Sequence, residues 1–339
     1  MLKLGIIGTH IITDQMLDAA KTTGKYQLTA VYSRTMARAK EYGRPYGATE
    51  YYDDLHKFFE DGDFDVVYIA SPNSIHYQQV RLAIENDKFI IVEKPAFVNP
   101  SQFEAIESLL AAHPKARLVE AARHIHTPLY KQALAKFNEM KKNHCQGGTI
   151  TVMKYSSRYD KVLADDKPYP NIFTLKFAGG ALMDLGVYAV YGAVTLFGQP
   201  ASVLYFPTLA KTGVDAKGVA LLNYKDFSVT LNFGKTANSH LDSEVYGLKD
   251  TLVFDSIFDT KKVTYYDANK QAHVLDAPVA KNSMTDEMND FADLFNNPED
   301  EEEVKKYQHW LDLARTVNSV MYSLRQSADL KFPADKDEE

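Results

Sequence analysis

In Phe89-Ile90-Ile91-Val92-Glu93-Lys94-Pro95, a continuous apolar run ends in an acid, a lysine and a proline. A continuous apolar run of this length is typical of a strand that is covered on both faces in a parallel sheet. Ligands of open parallel sheets bind at the carboxyl ends of the strands, which is where Lys94 stands. An ammonium group there must be solvated, paired or used on a ligand. Lys94 is therefore a candidate site residue, and a surface lysine paired with Glu93 is the alternative.

Strand and helix patterns alternate through the first third of the chain. Apolar runs predict strands, and apolar residues at helical spacing predict the helices between them. The predicted strands are residues 2–7, 28–32, 66–70, 89–92 and 117–121. Strands joined by helices of this length form right-handed crossovers. Residues 1–121 are therefore predicted to form an α/β domain with a doubly wound parallel sheet.

Beyond residue 122 the pattern changes to longer segments in which polar and apolar residues alternate. These segments are residues 149–155, 218–224, 228–233, 251–254 and 262–266. Such alternation predicts antiparallel strands with one covered face. Two helical stretches, 284–295 and 304–327, close the chain. We therefore predict an α+β domain over residues 122–339 with a large, mostly antiparallel open sheet, whose C-terminal helices are able to pack back on the first domain.

The composition is that of a globular protein and limits the classes of ligand. Hydrophobic residues make up 45% of the 339 residues and charged residues 24%. A formal net charge of -7 argues against binding to nucleic-acid phosphates and favours small-molecule ligands. The only cysteine, Cys145, cannot form an intramolecular disulfide. We see no signal-peptide pattern and no apolar run of membrane-spanning length, so we expect a cytoplasmic protein without a membrane partner.

The first strand-to-helix turn, Gly8-Thr9-His10-Ile11, stands where a dinucleotide-binding fold carries Gly-x-Gly-x-x-Gly or Ala. Only the first glycine is present. His10 stands where a missing side chain lets the backbone approach a pyrophosphate, and Thr13 where a small residue allows close packing of helix on strand. The helix N-terminus still presents N–H groups and the positive end of a dipole to an anion. The turn therefore predicts a dinucleotide site, although His10 departs from the pattern.

Ser33 and Arg34 follow the second predicted strand, where an acidic residue would hold the ribose 2′-hydroxyl of NAD(H). The donors of an arginine side chain match a phosphate group. Arg38, four residues later, adds positive charge on the same helical face. We therefore expect NADP(H) to be preferred and NAD(H) to be possible. Two exposed arginines at a helix start are the alternative.

A second group of polar residues lies between Gly179 and Tyr188, inside a mostly apolar helical pattern. Asp184 and Tyr188 are four residues apart and so share one face of a helix. Gly186 between them costs about 1 kcal/mol relative to alanine, which is understandable if another group must approach the backbone there. Asp184 and Tyr188 are therefore a candidate catalytic pair, and a core helix with one polar edge is the alternative.

Together these residues resemble the Gfo/Idh/MocA family, named after glucose-fructose oxidoreductase, inositol dehydrogenase and a rhizopine catabolism oxidoreductase. The resemblance covers nearly the whole chain. Its five motifs, in the family's order, are Gly5-Ile6-Ile7-Gly8-Thr9, Ser71-Pro72-Asn73-Ser74-Ile75-His76, Glu93-Lys94-Pro95, Glu120-Ala121 followed by Arg123 and Pro128, and Gly179 to Tyr188. It implies an N-terminal Rossmann domain for the cofactor. It also implies a C-terminal domain for substrate binding and oligomerisation through its open sheet, hence a homodimer or a dimer of dimers.

The resemblance also implies roles for individual residues. Lys94 is similar to the family's Glu-Lys-Pro lysine, and Asp184 and Tyr188 to its Asp-x-Gly-x-His/Tyr pair. Tyrosine in place of histidine resembles the glucose-fructose oxidoreductase and dimeric dihydrodiol dehydrogenase branch, which uses NADP(H). The residues expected to contact the cofactor are Gly8, Thr9, His10, Ile11, Ser33, Arg34, Ser71, Pro72, Asn73, His76, Glu93, Lys94 and Pro95.

These residue types can perform a hydride transfer. Oxidising an alcohol with a nicotinamide requires removal of a hydroxyl proton as hydride leaves, and Tyr188 is the predicted acid/base. A phenol is a weak acid at neutral pH, and a nearby ammonium favours the phenolate. Lys94 can supply that ammonium and polarise the substrate oxygen, while Asp184 hydrogen-bonds a substrate hydroxyl or holds Lys94 in place. We predict an oxidoreductase for a sugar, a polyol or a related hydroxy or carbonyl compound.

Other polar residues are further candidates for substrate contact. They are Arg123, His124, Tyr155 and Arg158. His124-x-His126 lacks a third and a fourth ligand at suitable spacing, so no metal site is predicted. Two alternatives stay open. A dinucleotide-binding regulator or sensor with little turnover is consistent with His10, and an enzyme that keeps its cofactor bound between turnovers has the same motifs.

Overall fold

The computed structural model describes residues 1–141 and 144–336, and the chain divides into two compact units. The first unit contains Met1–Ala121 and Ala280–Ala314. The second contains Ala122–Val279 and the chain from Arg315 onward. The predicted second domain ran from residue 122 to residue 339, with C-terminal helices able to pack back on the first domain. The observed division falls after Ala121, and Ala280–Ala314 groups with the first unit.

Six parallel strands form the sheet of the first unit. They are β1 Leu2–Ile7, β2 Tyr26–Tyr32, β3 Glu50–Tyr52, β4 Val66–Ile69, β5 Phe89–Glu93 and β6 Arg117–Ala121. The helices between them are α1 Ile11–Thr23, α2 Met36–Gly43, α3 Leu55–Asp61, α4 His76–Glu85 and α5 Pro100–Ala112. The strand order is β3-β2-β1-β4-β5-β6, which confirms the predicted doubly wound sheet. The order reverses at β1, so its carboxyl end is the switch point where such sheets bind ligands.

The β5 strand is covered on both faces, as its apolar run predicts. Ile91 belongs to one buried apolar cluster, whereas its neighbours Ile90 and Val92 belong to another. Successive side chains of a strand point to opposite faces, so the sheet separates two cores. Among the strands of this first sheet, β3 is the one without a predicted counterpart. Its three residues at the edge of the sheet are too few to show a period.

Eight strands form the sheet of the second unit. They are β7 Gly147–Met153, β8 Ser202–Leu209, β9 Asp215–Asn223, β10 Ser228–Gly234, β11 Ser243–Tyr246, β12 Thr251–Phe254, β13 Val263–Tyr266 and β14 Ala272–Leu275. Its helices are α6 Pro128–Lys141, α7 Tyr159–Leu163 and α8 Val187–Phe197. The strand order is β14-β13-β12-β11-β7-β10-β9-β8, and β7 with β10 is the parallel pair in an otherwise antiparallel arrangement. The predicted mostly antiparallel sheet is confirmed.

The two faces of this second sheet differ in burial. One face is covered by α8, which packs on β7 and β10. The stretch Leu175–Phe197, which ends with α8, is long and apolar enough to cross a membrane. The sequence was expected to contain no apolar run of membrane-spanning length, and Leu175–Phe197 is such a run. In its most apolar window, however, 83% of the residues are buried inside the protein, as in a core helix. On the other face, large apolar side chains are exposed.

Two helices close the chain, α9 Thr285–Asn296 and α10 Glu301–Ser327. α9 belongs to the first unit because its apolar face is buried in that unit's core. The Phe295 ring stacks on Phe89 of β5 with 4.8 Å between ring centroids. The Tyr26 hydroxyl donates a hydrogen bond of 3.0 Å to the carbonyl oxygen of Met288.

Candidate active site

The Gly8 turn has the geometry of a phosphate cradle. Gly8 has φ +115°, and a Cβ atom there would lie 2.6 Å from the carbonyl oxygen of Ala70, so only glycine fits. α1 begins at Ile11, directly after the turn, and presents its N-terminus at this point. Thr13 is fully buried, as expected for a residue packed between helix and strand. The turn therefore fits a dinucleotide pyrophosphate.

His10, which departs from the glycine pattern, has an extended backbone with φ -125° and ψ 173°. Any residue adopts this conformation, so the backbone does not require glycine at this position. The side chain is exposed and does not cap α1. Histidine at this position is therefore compatible with the backbone of the turn.

Arg34 and Arg38 lie at the start of α2 in different settings. Arg34 is exposed, next to Ser33, whose N–H donates to the carbonyl oxygen of Tyr52 at 3.0 Å. Arg38 is partly buried and reaches back to the Gly8 turn, where its Nε lies 3.2 Å from Thr9 Oγ1 and its Nη2 2.9 Å from the Thr9 carbonyl oxygen. The structure thus brings the turn and Arg38 together.

The segment that carries Lys94 is held by buried polar groups. His76 is fully buried, with Nδ1 3.1 Å from the Pro95 carbonyl oxygen and Nε2 2.9 Å from that of Ser71. Burial lowers the pKa of His76, which favours the neutral ring. The Ser71 hydroxyl donates to Gln79 Oε1 at 2.7 Å. His76 therefore joins the loop after β4 to the loop after β5.

Glu93 is buried, and its carboxylate accepts a hydrogen bond of 2.6 Å from the Tyr68 hydroxyl. Lys94 itself is partly exposed at the carboxyl end of β5. Pro72 and Asn73 form the start of the loop that His76 holds, and both are partly exposed.

Asp184 lies in a single π-helical turn, Leu182–Gly186, that leads directly into α8. Such turns occur frequently at functional sites. The Asp184 carboxylate pairs with the Lys235 ammonium at 2.5 Å. The Asp184 side chain is 33% exposed, whereas that of Lys235 is 1% exposed. At Gly186, a Cβ atom would lie 3.0 Å from the Phe233 ring, which is the close approach that a glycine in this position indicated.

Tyr188 is nearly buried at the start of α8, one helical turn after Asp184. The His124 ring meets the Tyr188 ring edge-on, with 5.3 Å between centroids. The Arg123 guanidinium lies 5.8 Å from the centre of the same ring, and the Phe258 ring lies at 5.7 Å. Two of the residues expected at the substrate, Arg123 and His124, are thus packed against the predicted acid/base.

Tyr155 and Arg158 follow β7. The Tyr155 hydroxyl donates to Asp160 at 2.5 Å, and the next residue, Ser156, donates its N–H to the carbonyl oxygen of Lys235 at 2.8 Å. This places the Tyr155 loop beside the lysine that holds Asp184. Arg158 is exposed before α7, and no described contact connects it to Asp184 or Tyr188. In residues 1–141 and 144–336, no cluster of His, Cys, Asp or Glu has a metal-binding arrangement.

Two buried charged residues of this region were missed by the sequence analysis. Lys235 directly follows β10, so a lysine at the tip of a buried strand, the signal that singled out Lys94, was present there too. Asp215 is fully buried, and its Oδ2 accepts hydrogen bonds of 2.6 Å from the Leu182 N–H and from the Tyr205 hydroxyl. Burial raises the pKa of Asp215. Its side chain also explains Gly180, where φ is +124° and a Cβ atom would collide with Asp215 Oδ1.

A parallel sheet with a glycine turn at its switch point, together with a sheet domain that carries the Asp184 and Tyr188 helix, defines an NAD(P)-dependent oxidoreductase. Residues 2–122 match the family described as "Oxidoreductase family, NAD-binding Rossmann fold", and residues 143–253 match the GFO/IDH/MocA C-terminal domain. The chain belongs to the Gfo/Idh/MocA family, which confirms the resemblance found in the sequence.

Relatives cover the whole length of the chain. It is 36% identical to an uncharacterized oxidoreductase, YgjR, of Escherichia coli (strain K12), with 99% of both chains covered. It is 32% identical to scyllo-inositol 2-dehydrogenase (NADP(+)) IolU of Bacillus subtilis (strain 168), over 99% of this chain and 100% of that protein. Among solved structures, a 3-ketoreductase from Actinomadura kijaniata in complex with NADP and TDP-benzene has the same fold, with a TM-score of 0.81 at 20% identity, over 96% of this chain and 97% of that one.

Proposed function

We propose that the chain is an NADP(H)-preferring oxidoreductase that transfers a hydride between the nicotinamide and a polyol, a sugar or a related hydroxy or carbonyl compound. The observation that carries the proposal is the pair at the start of α8. A partly exposed carboxylate, Asp184, is held by a buried ammonium, and the Tyr188 phenol follows one turn later. The carboxylate can accept a hydrogen bond from one substrate hydroxyl while the phenol transfers the proton of another. This arrangement suits a substrate with several hydroxyl groups.

In the proposed mechanism, bound nicotinamide supplies or accepts the hydride. Tyr188 takes the proton of the reacting hydroxyl, or returns it to the oxygen in the reverse direction. Lys94 stabilises negative charge on that oxygen, and Asp184 orients the substrate by accepting from a hydroxyl. Arg123, whose guanidinium lies over the Tyr188 ring, adds a second positive charge near the phenol. The sequence suggested only Lys94 for that task.

The preference for NADP(H) is supported by the groups after β2. No carboxylate stands at Ser33 or Arg34 to accept from a ribose 2′-hydroxyl. Arg34 is exposed directly after β2 and suits a 2′-phosphate, while Arg38 adds charge and contacts the Gly8 turn through Thr9. A relative that matches over the full length is named as an NADP(+) enzyme. NAD(H) remains a possible second cofactor.

We further propose a homodimer, or a dimer of such dimers, that forms in the cytoplasm through the open face of the second sheet. On the paired strands β8 and β9, Phe206 is 63% exposed, Leu204 45% and Val219 43%. Phe206 lies directly across from Val219. An exposed apolar cluster on a regular sheet commonly marks a subunit contact.

Two experiments test the function. In thermal-shift measurements with each of the four nicotinamide nucleotides, the largest rise in melting temperature is expected with NADPH or NADP+. In the second, NADP+ reduction is followed at 340 nm with scyllo-inositol, other inositols, aldoses and diols. No turnover with any compound in either direction, despite cofactor binding, would favour the regulator alternative. Absorbance of the freshly purified protein near 340 nm would reveal a retained reduced cofactor.

A further inference from the structure

Lys235 is a buried cation beside the proposed catalytic pair. Its side chain is 1% exposed, and its ammonium lies 2.5 Å from Asp184 Oδ2. The same ammonium lies 4.8 Å from the centre of the Phe173 ring. Burial of a charge is costly, so the carboxylate and the aromatic face must offset the lost hydration.

The backbone of Lys235 is fixed on two sides. Its N–H donates to the Ala216 carbonyl oxygen at 2.9 Å, and its carbonyl oxygen accepts from the Ser156 N–H at 2.8 Å. The strand before it, β10, pairs with both β7 and β9. A lysine held in this way determines where the carboxylate that pairs with it lies. Asp184 lies in the π-helical turn Leu182–Gly186, which leads directly into α8.

Asp215, the other carboxyl group near Lys235, has its own donors. The Leu182 N–H and the Tyr205 hydroxyl both bond to Oδ2 of Asp215. Burial raises the pKa of Asp215, and the carboxylate that pairs with the Lys235 ammonium, at 2.5 Å, is that of Asp184. The arrangement thus has one buried cation and one partly exposed anion that is directed toward it.

We propose that Lys235 is a positioning residue of the active site, which holds the Asp184 carboxylate in the orientation and the ionised form that a substrate hydroxyl requires. The proposal rests on the proposed function, in which Asp184 binds the substrate. It identifies Lys235 as a determinant of substrate affinity that acts through Asp184. A purely structural ion pair is the competing explanation.

A double-mutant cycle separates the two explanations. Lys235→Met, Asp184→Asn and the double variant are compared with the wild type, with NADP+ and scyllo-inositol, or the compound of the panel that is turned over best. We expect Lys235→Met to lower kcat/KM about tenfold or more, mainly through the KM for the polyol, with less than about a twofold change in the KM for NADP+. The double variant should be no worse than Asp184→Asn, because residues that act through one interaction are not additive.

Two further variants complete the experiment. Lys235→Arg keeps a cation and should recover part of the lost affinity. Lys217→Met is the matched control, because Lys217 is an exposed lysine directly across from Gly234 on the neighbouring strand. Its kinetics should stay within about twofold of the wild type, since no carboxylate of the site depends on it.

The outcomes distinguish this proposal from the function on which it rests. If Asp184→Asn has wild-type kinetics, the substrate role of Asp184 fails, and the proposal fails with it. If Asp184→Asn is impaired but Lys235→Met only melts at a lower temperature, Lys235 is structural and the proposed function stands. If Lys235→Met does not fold, the double variant is measured in its place, because it removes both charges and leaves neither unpaired. A double variant much slower than Asp184→Asn would then overturn the proposal.

Discussion

The Arg38 guanidinium is bonded to Thr9, with its Nη2 2.9 Å from the Thr9 carbonyl oxygen and its Nε 3.2 Å from the Thr9 hydroxyl oxygen. Thr9 belongs to the glycine turn after β1, and Arg38 to the helix after β2. The contact therefore joins the expected pyrophosphate site to the expected 2′-phosphate site. Arg38 is partly committed to the protein, which leaves the exposed Arg34 as the group better placed to discriminate between the cofactors.

Arg34→Ala is expected to weaken binding of NADPH far more than binding of NADH. Only NADPH carries the 2′-phosphate, and loss of a charge-assisted hydrogen bond costs about 1.5 to 3 kcal/mol, or roughly tenfold to a hundredfold in affinity. Isothermal titration of both cofactors measures the difference. Arg38→Met is the comparison, and it should weaken both cofactors because Arg38 supports the turn itself. Equal losses for NADPH and NADH in Arg34→Ala would contradict the assignment.

Lys94→Met and Tyr188→Phe are each expected to abolish most of the turnover. General acid–base groups contribute roughly a hundredfold to ten-thousandfold in rate, so losses of that order are expected with the identified substrate. The affinity for the cofactor in Tyr188→Phe should change less than about threefold. Tyr191→Phe is a matched control, since its ring also packs against His124, at 5.7 Å between centroids. Near wild-type turnover in either Lys94→Met or Tyr188→Phe would refute the proposed proton transfer.

Stability should depend on pH through His76. Burial lowers the pKa of His76 from 6.5, so the unfolded chain binds a proton more readily than the folded protein does. The stability from the neutral ring is therefore present above about pH 6.5 and is lost as the pH falls toward the folded-state pKa, by at most about 1.4 kcal/mol per pH unit. Melting temperatures from pH 7.5 to pH 5 should decline less steeply in His76→Gln than in the wild type. His309 is exposed, and His309→Gln is the control, in which the decline of melting temperature with pH should equal that of the wild type. The same decline in His76→Gln as in the wild type would contradict this role of His76.

Phe206→Arg is expected to convert the protein into a monomer. An arginine on the open face of the second sheet places a charge in the proposed apolar interface, where it would be desolvated. Light scattering at micromolar concentration should give twice or four times 38.2 kDa for the wild type and about one chain mass for the variant. Leu163→Arg is the control, because Leu163 is 62% exposed but lies on α7, outside the sheet. A wild-type mass near one chain would rule out the sheet-to-sheet dimer.

Features that depend on neighbouring residues could be predicted from the sequence. The run Phe89–Glu93 predicted a strand buried on both faces, and Ile91 and Val92 indeed belong to different cores. The order of strand and helix patterns predicted the parallel sheet, because crossover handedness leaves few other arrangements. The spacing of Asp184 and Tyr188 predicted that they share one helical face, because residues four apart lie about one turn from each other. Each of these inferences uses residues that are close along the chain.

Contacts between groups that are distant along the chain became evident only in the folded protein. Asp184 and its Lys235 partner are 51 residues apart, and Thr9 and Arg38 are 29 apart. α9 joins the first unit although its sequence follows the second, because its apolar face matches a core that earlier residues had built. A local pattern records that a side chain is charged or apolar, but its partner is set by the strand order and register that bring separate segments into contact. The burial that turns Lys235 from an ordinary lysine into part of the proposed site is therefore a property of the folded chain.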